Sequence, residues 1–262
     1  MPEVLWLGSA LLLYALAALH VLRPAGVGPV RALPPGLLEA AVTLHTLALL
    51  QRWSTLGHGP FTTLHEILSS SLWSLSLVYG LGCLATRELR QSFVVAAPVL
   101  LLLAAWLLVA PSGPGHMPPT YDTPLLYLHA VVGKAYLGLL LAAVSLGLMT
   151  WLQRDRLSAT EAQRLDRLAH QFAGWAFIAE SLMLIVGAVW AQDAWGRWWA
   201  WDPLESWAFA SWVALAAALH ARATLRPRPA VYGWWLAGCF ALAFLTFFGV
   251  PFVSLAPHKG AI

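Results

Sequence analysis

Seven of the chain's 15 tryptophans fall between residues 190 and 212: Trp190, Trp195, Trp198, Trp199, Trp201, Trp207 and Trp212. Indole offers a broad apolar face and one N–H donor, so a dense cluster suits a flat amphipathic ligand. Gly196 permits close approach, while Arg197, Asp202 and Glu205 supply charge for a ligand's polar edge or for the shape of the segment. The same indoles also suit an interfacial belt, which sets Trp at helix ends around the perimeter of a membrane protein. Nine histidines offer neutral imidazole nitrogens to a metal. The two cysteines, Cys83 and Cys239, lie far apart in apolar runs with no Cys-x-x-Cys pair, which argues against a disulfide framework and thiol redox chemistry.

Such groups need elements to position them, and composition says what those elements are. With 60% hydrophobic and 10% charged residues in 262, too little polar surface exists to cover a soluble globule. The net charge of +3 is modest and falls in short clusters, which excludes an extended basic face for nucleic acid. Apolar runs long enough to span a bilayer lie at roughly 3–22, 36–53, 66–85, 92–110, 124–152, 170–192, 204–224 and 230–250. They lack the alternation of barrel strands and are twice too long for them, so the reading is an all-α polytopic protein with eight transmembrane helices. The first run has no basic segment before it and reads as a retained helix. The mixed-charge stretch 153–166 reads as a cytoplasmic extension of span five followed by a short surface helix.

Orientation follows from Lys and Arg, which remain cytoplasmic. The loops after spans one, three, five and seven hold eleven of the 15, the other side holds Arg52, Arg197 and Lys259, and Lys134 sits inside a span. Both termini and the tryptophan segment are thereby expected on the external side. Two charges fall near mid-membrane, Lys134 in span five and Glu180 in span six, each about ten residues in, or about 15 Å deep. Isolated charges there are costly, so an ion pair between them is expected.

The string Gly187-Ala-Val-Trp190-Ala, then Ala194-Trp-Gly and Trp199-x-Trp201-Asp202-Pro203-x-Glu205-x-Trp207-Ala-Phe, resembles the WWD signature of the haem-handling proteins of cytochrome c maturation, and among them the CcsA (ResC) branch. Arg52-Trp53-x-x-x-Gly57-His58-x-Pro60 with Glu66, and Phe248-Gly-Val with His258, are similar to other segments of that branch. The resemblance covers most of the chain and implies a single CcsA-like membrane domain over 1–262 with a WWD loop at about 193–206. HemX-like membrane proteins share the Trp-Asp-Pro string and about this length.

The resemblance also implies a function. It is that of the subunit of a cytochrome c synthase (system II biogenesis) that binds haem b and presents it at the external, periplasmic face of the inner membrane. There the haem joins an apocytochrome c bearing Cys-x-x-Cys-His, with a CcsB-like membrane subunit as partner. His129, about one turn into span five, and His258, beyond span eight, are the external iron ligands on that reading. Trp195, Trp198, Trp199 and Trp201 hold the macrocycle, and Asp202 with Arg197 fixes loop shape or meets propionates. His220 matches an intramembrane haem ligand of the family, whose partner ligand comes from the second subunit or, in this chain, from His45 or His20. Spacing alone leaves His258 equally readable as a solvated tail residue and His220 as a hydrogen-bonded intramembrane histidine. Two other functions compete: a HemX-like haem- or tetrapyrrole-binding regulator, and a small-solute transporter using Lys134 and Glu180.

Overall fold

The computed structural model of the chain describes residues 2–23 and 30–253, so His258 lies outside the described residues. Among the described residues the fold is all-helical, without strands: α1 (Pro2–Leu22), α2 (Leu37–Leu56), α3 (Leu64–Ala85), α4 (Arg87–Val109), α5 (Pro124–Leu152), α6 (Ala159–Trp195), α7 (Pro203–Leu225), α8 (Pro229–Phe248) and a single turn, α9 (Val250–Val253). Seven of these helices are long and apolar enough to cross a membrane by length and composition. The exception among the eight expected spans is α2, whose 20 residues include Glu39, Thr43, His45, Thr46, Gln51 and Arg52. Several of those side chains turn inward: His45 is fully buried and Arg52 nearly so.

Arg52 near the end of α2 meets Glu3 at the start of α1 and Glu66 at the start of α3, as antiparallel neighbours do, and the bundle has two chemically distinct ends. One end gathers the α6–α7 tryptophans and a network centred on Arg52. Its guanidinium donates to Glu66 Oε1 at 3.0 Å, to Glu3 Oε1 at 3.2 Å, and to the carbonyls of Ser112 and Gly113. Glu66 Oε2 accepts from the backbone and hydroxyl of Thr62, so the buried carboxylate is fully used. This network ties the ends of α1, α2 and α3 to the loop after α4, and it offsets the cost of burying charge by hydrogen-bonding every part of it. The opposite end collects the arginines of the odd-numbered connections and is fastened by Arg222 to Asp166 and by Arg164 to Glu88.

The stretch 153–166 differs from its expected form. After a turn at 153–156, a capping box formed by Ser158 and Glu161 starts α6, which runs 37 residues without a break into span six. No separate surface helix forms, because that cap lets the charged first turns continue directly into the apolar run. Asp166 is buried against Arg222 instead of standing in solvent.

α5 is the central helix, packing on α3, α4, α6 and α8. Its small residues set the spacing. Gly147 meets Gly233 of α8 backbone to backbone, and a Cβ on Gly233 would stand 2.5 Å from the carbonyl carbon and oxygen of Gly147. Close backbone approach between small residues is how apolar helices associate in lipid, where the hydrophobic effect between them vanishes. Gly233→Ala is therefore expected to push α8 off α5 and cost about 1–3 kcal/mol. Gly238→Ala, on the same helix with nothing near its absent Cβ, should be neutral or stabilising. Thermal unfolding of the two variants in detergent checks the contrast.

Candidate functional site

The tryptophan end encloses a cavity of about 230 Å³ between α3, α5, α6, α7 and the α8–α9 junction. His129, Trp198 and Trp199 line it, together with Gly133, Gly187 and Phe248. Thr123 caps α5 by accepting from the Leu126 amide, and Pro124 opens the helix, which sets His129 in its second turn. Three contacts then fix the imidazole. Nδ1 donates to the Met183 carbonyl at 2.9 Å, the ring stacks on Trp190 with centroids 6.0 Å apart, and Gly187 leaves the space the ring occupies. A Cβ at Gly187 would lie 2.8 Å from His129 Cε1 and Nδ1. The bond to Met183 keeps a proton on Nδ1, so in neutral imidazole the lone pair stands on Nε2, the form that ligates a metal.

Trp190 is the anchor of this wall. It is 1% exposed, donates from Nε1 to the Thr120 carbonyl at 3.0 Å, and packs edge-on with Tyr121 and Trp195. Trp195 supports the wall from behind and does not itself line the cavity, although the family resemblance implies that it holds the macrocycle. Gly196, in the left-handed region at φ 71°, ends α6. Trp198, 58% exposed, stands at the mouth, and Trp199 turns inward with its Nε1 buried and without a hydrogen-bond partner among the described residues. Trp201 is 67% exposed and off the cavity; its backbone lies in the left-handed region at φ 57°.

That strained backbone leads into a motif that tryptophan content obscures in the sequence. Asp202 caps α7: its Oδ1 accepts from the Glu205 amide at 2.8 Å, and Glu205 Oε2 accepts from the amides of Ala200 and Asp202 at 2.7 and 3.3 Å. With Pro203 in the first turn, the Asp-Pro-x-Glu string is a capping box. Asp202 thus fixes loop shape, and Glu205 is held at the cavity rim. The signal was present as an acidic cap three residues before a glutamate.

Lys134 and Glu180 form no ion pair among the described residues. Lys134 lines the cavity and donates to Ser70 Oγ at 3.0 Å and Ser71 Oγ at 2.8 Å on α3, whereas Glu180 accepts from Ser211 Oγ of α7. The two residues sit on neighbouring helices, but Lys134 finds its partners on α3 and Glu180 its partner on α7. The remaining predicted ligands lie elsewhere. His45 has both ring nitrogens engaged, with Tyr14 at 3.3 Å and Ser69 at 2.9 Å. His220 is exposed on α7, which packs on α6 and α8, whereas α2 packs on α1 and α3. His58 and His116 border a separate hollow beside Asp122.

Fold and site together define a class: a polytopic helical bundle with an indole-walled, histidine-bearing cavity at one membrane end. Residues 61–258 match the family described as cytochrome C assembly protein, about three quarters of the chain, and the chain belongs to that family. Similar proteins include the cytochrome c biogenesis protein CcsA of Prochlorococcus marinus strain MIT 9215, 28% identical over 254 residues that cover 82% of this chain and 80% of the relative. Its counterpart in strain MIT 9312 is 29% identical over 255 residues with the same coverage. CcsA of Chlamydomonas reinhardtii is 29% identical over 207 residues, covering 74% of this chain and 58% of that protein. The cavity lining, from Phe61 to Pro251, falls wholly inside the matched segment, and His45 falls before it.

Replacing the cap tests the structural role of the WWD segment. Asp202→Ala should cost about 1 kcal/mol in detergent unfolding, and Asp202→Asn, an equally good cap, only a few tenths. Equal losses in the two variants would mean that the charge and not the cap matters there.

Proposed function

We propose that the chain is the haem-binding and haem-presenting subunit of a cytochrome c synthase, acting in system II cytochrome c biogenesis. The observation that carries this reading is His129, locked by Met183, Trp190 and Gly187 with Nε2 as its acceptor nitrogen, in the wall of an apolar, indole-lined cavity. The donor set fits haem b as the substrate: one imidazole, flat aromatic faces, and the buried Trp199 Nε1 lacking a protein acceptor among the described residues. The volume, about 230 Å³, lies below the roughly 300–1,000 Å³ of pockets that enclose a small ligand. A tetrapyrrole therefore needs the 196–202 segment to yield, or stays partly outside.

His258 is the proposed second axial donor. It lies outside the described residues, but Pro251 lines the cavity, and seven residues reach about 24 Å when extended. When bound, haem supplies the vinyl groups to which the two thiols of an apocytochrome Cys-x-x-Cys-His segment add. The chain's own work is positioning: His129 would hold the iron, Trp198 and Trp199 would cover apolar surface and exclude water, and the Asp202–Glu205 cap fixes where the segment enters α7. Trp195 and Trp201 act here as supports of that wall and rim. Placing the arginine-rich end in the cytoplasm makes α2 an eighth span, puts both termini outside, and opens the cavity to the periplasmic face of the inner membrane. On this reading residues 1–262 form one membrane domain.

A CcsB-like subunit completes the synthase, and exposed His220 of α7 is available to a ligand shared with that neighbour. His45, with both nitrogens hydrogen-bonded inside the bundle, serves structure. The HemX-like reading differs only in the fate of haem once bound. Co-expression with a CcsB-like partner and an apocytochrome separates the two: thioether-linked haem on the cytochrome, seen by haem staining after denaturing electrophoresis, supports the synthase. His129→Ala should lower that product at least about tenfold. A wild-type chain giving no linked haem favours the regulator.

A further inference from the structure

The cavity carries a cation that the binding of iron does not use. Lys134 sits five residues beyond His129 on α5, about 7.5 Å further from the mouth along the helix axis. Its ammonium has three donors; two go to Ser70 and Ser71, and the third has no protein acceptor among the described residues. No carboxylate forms an ion pair with it among the described residues. Glu180 gives one oxygen to Ser211 of α7, Glu66 is held by Arg52 and Thr62, and Glu205 at the rim is held by the amides of Ala200 and Asp202. Ser71 lines the same wall, is 3% exposed, and accepts from Lys134, which leaves its own proton to donate. A cation and a hydroxyl donor thus stand side by side on a wall that is otherwise apolar. A lone, half-buried cation is costly at this depth, and an anion arriving with the ligand is the partner that would relieve it.

We infer that Lys134 and Ser71 form a carboxylate anchor in the cavity, so that the ligand it takes is an amphipathic carboxylic acid whose acid group binds inward, toward the membrane. On the haem-presenting function, on which this assignment rests, that acid is a propionate, and the anchor fixes which edge of the substrate faces the mouth. A lipid carboxylate offers the same chemistry. Lys134 is a positioning residue here, distinct from His129, which meets the iron.

The test uses the full chain purified in detergent, titrated with haem and with its dimethyl ester and read at the Soret band. Wild type should bind the diacid about ten- to hundredfold more tightly than the diester, the range of a charge-assisted hydrogen bond. Lys134→Met, which keeps length and removes charge, should bind both forms with the affinity wild type shows for the diester, a cooperative thermal transition showing that the variant is folded. A parallel titration by calorimetry compares palmitate with methyl palmitate. If neither haem form binds but palmitate is preferred in a Lys134-dependent way, the haem reading fails and the anchor stands, serving lipid. Equal affinity for acid and ester in both pairs, or an acid preference that survives in Lys134→Met, overturns the anchor.

Discussion

The seam between α5 and α6 at the tryptophan end is the constraint on which the site depends. A histidine ring can lie there only because Gly187 has no side chain, and it lies in one orientation because Trp190 backs it and the Met183 carbonyl accepts a hydrogen bond from its Nδ1. Each contact comes from α6, one helical turn apart along one face. An imidazole held on three sides has little orientational freedom left to lose. Trp190 in turn depends on Tyr121, Trp195 and the Thr120 carbonyl, so the loop before α5 and the end of α6 are built as one piece.

Polar chemistry inside the bundle is organised by partners on neighbouring helices. α3 serves as the polar spine. Ser69 meets His45, Ser70 and Ser71 meet Lys134, and Glu66 meets Arg52. Hydrogen bonds of this kind hold helices together where lipid gives no hydrophobic driving force, and glycine contacts such as Gly147 on Gly233 do the rest. The same spine that stabilises the bundle therefore delivers the Ser71 hydroxyl to the cavity wall and holds the Lys134 ammonium of α5 beside it.

Much of this was legible in the chain itself. Long apolar runs marked the helices, and the arginine asymmetry anticipated that the bundle would have two unlike ends. Tryptophan density pointed to the end that holds the cavity, and His129 in Leu128-His129 stood near it. What remained hidden was rotation about the helix axes. Lys134 and Glu180 point apart, toward α3 and α7, because α5 and α6 are each surrounded by several partners whose order around the axis no periodicity reveals. The α2 run carried its buried polar residues openly, and these, more than length, separate it from the other spans. The capping box at Asp202 and Glu205 was readable from spacing, yet tryptophan content drew attention to ligand contact at a place where backbone capping rules.

The central claim is that His129 Nε2 meets the iron of haem in this cavity, and the most direct measurement is the absorption spectrum of the chain as purified. Wild type should show a Soret band with the visible bands of six-coordinate haem. Those bands should be lost in His129→Gly and return when imidazole is added to that variant, since the cavity made by removing the ring admits the free ligand. Wild-type protein without Soret absorbance, or a His129→Gly spectrum identical to wild type, would contradict that claim.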